Sequence, residues 1–353
     1  MWPMLRANAS APLAWSRPVS PLALPSSPVA ACALAALLAL AGCSRSKVQE
    51  PETRSAAPTS PAPAPATLQL SSRLARPAPE RVVAIGDLHG DLDHARRVLR
   101  LAGAIDEGDR WIGGRLVVVQ TGDQVDRGDD DKSLLDLIET LKTQASAAGG
   151  ELIALLGNHE IMNAELDFRY VTPRSFESFA LFDAADASLP EGRVPPSSRG
   201  RAAAFAPGGS YASVMSHHPL LAKVGDTVFV HGGILPKHVA YGLDRMNDEV
   251  DDWLARKRKD PPAIVVAEDG PVWTRVYSDD DASLDCPDLA RVLDALGAKR
   301  MVVGHTVQHA GINSACGGNV WRIDVGLSRF YGGPIQALEL RGGEPTVLRE
   351  ASK

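Results

Sequence analysis

Apolar residues in this chain fall in short bursts. Arg81–Ile85 is one, and it ends in Gly86-Asp87; Leu116–Gln120 is a second, followed shortly by Gly122-Asp123; Leu152–Leu156 is a third, followed by Gly157-Asn158. Bursts of this length, bounded by turn residues, predict buried strands. Between them the period changes. Over Asp91–Ala102 the positions Leu92, Ala95, Val98 and Leu99 recur at helical spacing, and Ser133–Leu141 repeats that pattern. Strand and helix alternate, so the pattern predicts an α/β fold. Further strands are expected at Thr227–Val230, Arg300–Val303, and near Val320–Ile323, Ile335–Leu340 and Thr346–Leu348, with a helix at Leu289–Leu296. Residues 165–215 keep no clear period. Pro195-Pro196, Gly200 and Gly208-Gly209 interrupt them, and they read as an inserted helical cap or long loop. There is no internal repeat.

The N-terminal pattern is of another kind. Val29 to Ala41 is nearly unbroken alanine and leucine, preceded by Arg6 and Arg17 and by no acid. That run is short for a membrane span and suits the apolar stretch of a signal peptide. It ends in Leu40-Ala41-Gly42-Cys43, which resembles a bacterial lipobox. The resemblance implies that residues 1–43 are a leader and that Cys43 is lipidated. The protein would then be anchored to a membrane of the bacterial cell envelope, facing the periplasm. Ser44 lacks the acidic signal for inner-membrane retention, which favours the outer membrane. Residues 44–80, with Pro58, Pro61, Pro63 and Pro65, read as a stiff spacer. The folded domain is expected over 81–350.

Composition removes whole classes of function. With 353 residues, 44% hydrophobic and 23% charged, the chain has ordinary globular usage and enough length for a sizeable core. A formal net charge of -6, no basic stripe and only 5% aromatic residues argue against nucleic acid as a partner. Removal of the leader takes Cys32, and lipidation occupies Cys43. Cys286 and Cys316 remain in an oxidising compartment. A bond between them and two separately buried thiols are both consistent with that.

The chemistry gathers at strand ends. Five motifs follow expected strands: Gly86-Asp87-Leu88-His89-Gly90, Gly122-Asp123-Gln124-Val125-Asp126-Arg127-Gly128, Gly157-Asn158-His159-Glu160, His231-Gly232-Gly233 and Gly304-His305-Thr306. In open α/β sheets, ligands bind beyond the carboxyl ends of strands. Asp87 to Asp123 is 36 residues and Asp123 to Asn158 is 35, each the length of one strand–helix–strand unit. Oxygen and imidazole donors suit Mn, Fe or Zn. A carboxylate such as Asp123 can bridge two ions, and paired ions can clamp an in-line phosphoryl displacement.

In this order, the motifs resemble the calcineurin-like metallophosphoesterases, near the phosphoprotein phosphatase branch and most like the bacterial Shewanella-like phosphatases. The resemblance covers roughly residues 81–341. It implies a central β-sandwich of two mixed sheets flanked by helices, with two divalent metal ions, Mn favoured over Fe or Zn. It implies that Asp87, His89 and Asp123 hold one ion, and that Asp123, Asn158, His231 and His305 hold the other. His159 would be the general acid and Asp126 its orienter. Arg127 would grip the phosphate, with Asn158 also binding substrate, and Arg275, in the looser motif Pro271-Val272-Trp273-Thr274-Arg275, would be a second phosphate arginine. The implied reaction is hydrolysis of a phosphate monoester by attack of a metal-bridging hydroxide, on a phosphoprotein at Ser/Thr or Tyr. The alternative is a small phosphomonoester, a phosphodiester or a dinucleoside polyphosphate.

Other residues read more plainly. Asp129–Asp131 and Asp279–Asp281 read as solvated turns or helix starts, Asp131 near a helix N-terminus. His217-His218-Pro219 would at most shape the cleft entrance. Asp324 ends a strand at the same edge, either behind the metal-binding histidines or in a turn. Trp273 and Trp321 read as core or cleft wall, and Tyr331 as cleft lining.

Overall fold

A computed structural model of the chain describes residues 67–182, 194–279 and 281–350. The leader with Cys43, and the spacer up to residue 66, lie outside the described residues. Two mixed sheets form the centre. One has five strands in the order β11-β10-β2-β3-β4: β2 is Arg81–Ile85, β3 Val117–Gln120, β4 Glu151–Ala154, β10 Gln336–Arg341 and β11 Glu344–Arg349. The other has six in the order β1-β5-β6-β7-β9-β8: β1 is Ala75–Arg76, β5 Leu221–Val224, β6 Thr227–Val230, β7 Arg300–Val303, β8 Asn313–Ala315 and β9 Val320–Arg322. β2, β3 and β4 run parallel, as do β6, β7 and β9. Their connections explain this. Helices α1 (Leu92–Leu101) and α2 (Asp131–Ala147) return the chain between β2, β3 and β4.

Alternation along the six-stranded sheet builds the sandwich. Phe229 and Val302 pack with the five-stranded sheet, α1 and α2 in one core, whereas Val228, Val230, Met301 and Val303 pack in a second core. Successive side chains point to opposite faces of a strand, so this sheet is buried on both sides. The second core is closed by helices α3 (Asn158–Ala164), α5 (Arg199–Phe205), α6 (Ser210–Met215), α7 (Pro236–Tyr241), α8 (Leu243–Leu254), α9 (Ala263–Val266) and α10 (Cys286–Leu296), while α4 (Pro173–Ser178) lies against α2. Leu220, Met246, Val250, Trp253 and Leu293 are among its buried members.

The structure corrects two expectations and narrows others. The spacer does not run to residue 80: Leu74 is fully buried, β1 pairs with β5, Leu68 N–H donates to the Ala295 carbonyl at 2.7 Å, and Arg76 reaches Glu151 at 2.9 Å. Proline-rich composition hid a two-residue strand. The described part of 165–215 is helical, one of its two expected forms, and not a long loop. Its Phe179, Phe205, Tyr211 and Met215 belong to the second core. Asp131 does start a helix, but it is buried and not solvated. Cys286 and Cys316 are bonded, joining the start of α10 to the turn between β8 and β9. Helix α8 was missed, although Leu243, Met246, Val250 and Leu254 have helical spacing.

Candidate active site

Six strands of the two sheets end at one place. β2 leads into Asp87 and His89, β3 into Asp123, Asp126 and Arg127, and β4 into Asn158 and His159 at the start of α3. From the other sheet β6 leads into His231, β7 into His305 and β9 into Asp324. Bringing these side chains together distorts the backbone. Nine described residues other than glycine have positive φ, and five of them are His89, Asp123, Asp126, Arg127 and His305. Such conformations cost free energy and persist only where surrounding structure enforces them. Glycine supplies the remaining room. A Cβ on Gly157 would fall 2.2 Å from Asp123 Oδ1, and one on Gly304 2.4 Å from Asp87 Oδ1.

Glu160 braces the strained loops. Its buried carboxylate accepts the backbone N–H groups of Asp123 (2.9 Å), Gln124 (2.8 Å), Val125 (3.3 Å) and Gly157 (2.7 Å). Burial, with Asp123 nearby, pushes it up to about 7. Sequence reading gave Glu160 no role. The signal was present in its spacing, three residues after Gly157, where a helix's third residue can reach back to the free N–H groups before it.

The histidines are oriented from behind. His231 Nδ1 donates to the Thr121 carbonyl at 2.9 Å, and His305 Nε2 to the Trp273 carbonyl at 3.0 Å. His89 Nδ1 donates to the Val125 carbonyl at 3.2 Å. Each ring then turns its other nitrogen inward. His231 Nε2 lies 2.9 Å from Asn158 Oδ1, 3.2 Å from His305 Nδ1 and 3.4 Å from Asp123 Oδ1. With neutral imidazoles these are four acceptors facing one another with no proton among them, an arrangement that a cation resolves. Two overlapping groups bring ligand atoms within 4.8 Å of one another: His89, Asp123 and His159, and Asp123, His231 and His305. Asp123 is common to both. Asp87 lies 4.0 Å from His89 Nε2 and accepts the His305 N–H at 3.2 Å. These donors fit divalent metal ions.

Electrostatics separates the histidines. Burial lowers His89 to about 4, and burial with the neighbouring His231 and Arg275 lowers His305 to about 2, so both rings are neutral near pH 7. Burial acts on His159 in the same direction, but Asp123 and Asp126 outweigh it and hold it at about 9. His159 Nδ1 donates to Asp126 Oδ2 at 2.7 Å, and its Nε2 faces Asp123 Oδ2 at 3.8 Å. Burial raises Asp87 well above the usual carboxylate range, with Asp324 and Asp123 adding to it. Asp324 is itself buried and raised to about 6 by burial, and its Oδ1 accepts the Gly326 N–H at 2.8 Å.

Cations and aromatic rings form the mouth. Arg127 lies 3.8 Å over the Tyr170 ring and 5.0 Å from that of Phe330, beside a cavity of about 270 Å³ that His89 also lines. Its buried Nε has no partner. The exposed Arg275 donates to the His305 carbonyl and to Thr306 Oγ1, each at 2.9 Å. Trp273 stands 6.2 Å from the His305 ring, and Tyr331 5.3 Å from that of His89. His218 does not reach this mouth. It is buried, with Nε2 2.7 Å from Glu139 of α2.

Behind the site lies a network that sequence reading missed. Asn163, Ser175, Asp131 and Arg201 are all fully buried and meet around Asp126. The one signal was Arg201 itself, a cation in the apolar run Gly200–Ala206, since a buried charge needs partners.

Acceptors converging from the ends of β2, β3, β4, β6 and β7 define the class of site, a metal centre. The calcineurin-like phosphoesterase model matches residues 80–309, and the chain belongs to that family. Over 295 residues it is 40% identical to Shewanella-like protein phosphatase 2 of Arabidopsis thaliana, covering 74% of this chain and 75% of that protein. It is 30% identical to Shewanella-like protein phosphatase 1 of Plasmodium berghei, covering 72% of this chain and 69% of that protein. Among solved structures it resembles the cold-active protein-tyrosine phosphatase of a psychrophilic Shewanella, with a TM-score of 0.62 and 23% identity over 78% of this chain and 82% of that one, a likeness of fold.

Proposed function

We propose that the protein is a metal-dependent phosphoprotein phosphatase. The observation that carries this is the sorting of histidines: neutral rings facing Asp123 beside one ring held protonated. Neutral imidazole is a ligand and imidazolium is an acid, so the roles divide between them. Asp87, His89 and Asp123 would hold one divalent ion, and Asp123, Asn158, His231 and His305 a second. When bound, the ions supply Lewis-acid polarisation of the phosphoryl oxygens. The chain supplies the rest. Arg127 and Arg275 bind and orient the phosphate, Arg127 held flat by Tyr170. His159 Nε2 carries the proton for the leaving oxygen, and Asp126 fixes the ring through Nδ1. The phosphoprotein substrate is supported by the Arabidopsis and Plasmodium relatives' names. Phe330, 56% exposed beside Arg127, favours an aromatic leaving group. The oxygen and imidazole donors, with no thiolate, suit Mn, Fe or Zn, and the carboxylates among them lead us to favour Mn.

The test uses the whole chain, stripped of metal and reloaded with Mn, Fe or Zn. Phosphotyrosine and phosphoserine peptides, a small monoester and a bis-ester are then offered. Metal-restored turnover of a phosphopeptide is the expected result. Turnover of only the small monoester or the bis-ester would overturn the protein-phosphatase reading. We also propose an envelope location through a lipidated Cys43, supported by the leader sequence alone. No helix among the described residues is long and apolar enough to cross a membrane. Incorporation of labelled fatty acid, lost in Cys43→Ser, is the expected result; unlabelled wild type would overturn it.

A further inference from the structure

Among the described residues Arg201 is the largest fully buried side chain, and it lies in a helix, α5, with no residue at the metal-facing strand ends. Its guanidinium uses every edge. Nε donates to Asn163 Oδ1 at 2.8 Å and Nη1 to Ser175 Oγ at 2.8 Å. Nη2 lies 2.7 Å from Asp131 Oδ2 and donates to Asp126 Oδ1 at 3.1 Å. The Phe205 and Phe179 rings stand 4.7 and 5.1 Å from its carbon, closing it off.

All these bonds converge on one carboxylate. Asp126 gives Oδ2 to His159 Nδ1, and its Oδ1 is occupied by Arg201 and by Asn163 Nδ2 at 3.0 Å. Its backbone N–H donates to Asp131 Oδ1 at 3.0 Å, in a left-handed conformation with φ 71°. Asn163 Nδ2 also donates to the His159 carbonyl at 2.9 Å, so one amide touches both members of the pair. The carboxylate can neither rotate nor tilt without breaking a bond to a planar, ring-stacked cation. For stability alone such a buried ionic cluster is a poor device, because apolar residues of similar volume often do as well. It does fix geometry, and a proton donor must be held within a fraction of an ångström of its target.

We propose that Arg201 is a positioning residue for phosphate ester hydrolysis: by clamping Asp126 Oδ1 it sets the orientation of the His159 ring and aims Nε2 at the leaving oxygen. The inference rests on the reading of His159 as the acid. Arginine is required there because lysine, a point charge, cannot bridge Asn163, Ser175, Asp131 and Asp126 together.

The test uses the full chain loaded with metal and a series of aryl phosphates from phenyl to 4-nitrophenyl phosphate. A poor leaving group needs the proton; 4-nitrophenolate does not. Arg201→Lys, and Asn163→Ala as a second variant carrying no buried-charge change, are compared with His159→Asn. Expected is a loss of about tenfold to a hundredfold in kcat on phenyl phosphate and less than about threefold on 4-nitrophenyl phosphate. KM and metal content should stay within about twofold of wild type. A readout independent of activity is the downfield His159 Nδ1–H proton resonance of the metal-free chain, which should be present in wild type and broadened or shifted in both variants. Equal losses across the series in both variants, or no loss with the resonance unchanged, overturn the positioning role. If His159→Asn itself shows equal losses, the acid reading has failed and this inference with it. If His159→Asn discriminates between leaving groups and the Arg201 and Asn163 variants do not, only the positioning role has failed.

Discussion

The two sheets bring different sets of side chains to one point and hold them by different means. From β2, β3 and β4 come the carboxylates of Asp87 and Asp123 and the amide of Asn158, with the imidazoles of His89 and His159 beside them; from β6 and β7 come two imidazoles, His231 and His305, and from β9 the carboxylate of Asp324. The first half is a problem of backbone shape. His89, Asp123, Asp126 and Arg127 all sit at positive φ, and Glu160 ties the N–H groups of Asp123, its neighbours Gln124 and Val125, and Gly157. The second half is mainly a problem of tautomer. One carbonyl behind each ring, Thr121 or Trp273, fixes which nitrogen carries the proton. Strain with a brace serves where charges must crowd, and a single hydrogen bond serves where a ring need only face the right way.

Asp123 offers the hardest way to break that comparison. It belongs to both ligand groups and stands between the halves. Asp123→Asn removes the shared charge while preserving shape. We expect it to lose metal from both groups and to drop turnover by at least about a thousandfold, a barrier of about 4 kcal/mol. His305→Asn, from the imidazole half, should empty only one group. Metal analysis of the purified variants checks this. Full metal content in Asp123→Asn would mean that the two halves bind independently.

His159→Asn should cost less, about a hundredfold to ten-thousandfold in kcat, with metal content retained. The pH dependence sharpens the point. In the metal-free chain Asp123 and Asp126 hold the ring at about 9, so its proton should leave above the ordinary histidine range, read from the pH dependence of its ring resonances. Asp126→Asn, which removes a raising charge, should move that titration to lower pH. The metal-free fold should respond too. The folded pKa of His159 lies above its unfolded value, so its stabilisation is complete below about 6.5 and lost as pH rises toward 9. Glu160 at about 7 and Asp324 at about 6 also lose stability as pH rises, so the quantity to measure is the difference in melting temperature between wild type and His159→Asn. A difference that does not change between pH 6 and 9 would contradict the assignment.

These contrasts also explain what the sequence made legible. Glycine-flanked strand ends stand out because tight turns and close approach admit few residues, so Asp87, His89, Asp123, Asn158, His159, His231 and His305 could be picked out and do meet. Arg127 and Arg275 reach the mouth as well. The clamp on Asp126 was not legible, because apart from Asp131 of α2 it is assembled from α3, α4 and α5, helices of six or seven residues too short to show a period. β1 was hidden for the same reason, being two residues long inside a proline-rich stretch. Asp131 looked solvated because its neighbours Asp129 and Asp130 are exposed, and only the fold brings Arg201 to it.

The smallest effect on turnover is expected from the disulfide, and it separates stability from catalysis within the imidazole half. Cys286–Cys316 closes a segment with a sequence separation of 30, and β8 beside it is the edge strand of its sheet. Its loop contains β7 and His305, so its loss could in principle reach the site. Yet His305 is held locally: its ring by the Trp273 carbonyl, its N–H by Asp87, and its carbonyl by Arg275. None of these bonds passes through the hairpin of β8 and β9. Replacing both cysteines with alanine should therefore lower stability by about 2–4 kcal/mol, chiefly by freeing the unfolded chain, while kcat stays within about twofold. Denaturant unfolding and turnover measured on the same sample decide it. A large fall in kcat at a temperature where the variant is fully folded would mean that His305 depends on distant backbone shape, and that the imidazole half is held in place much as the carboxylate half is.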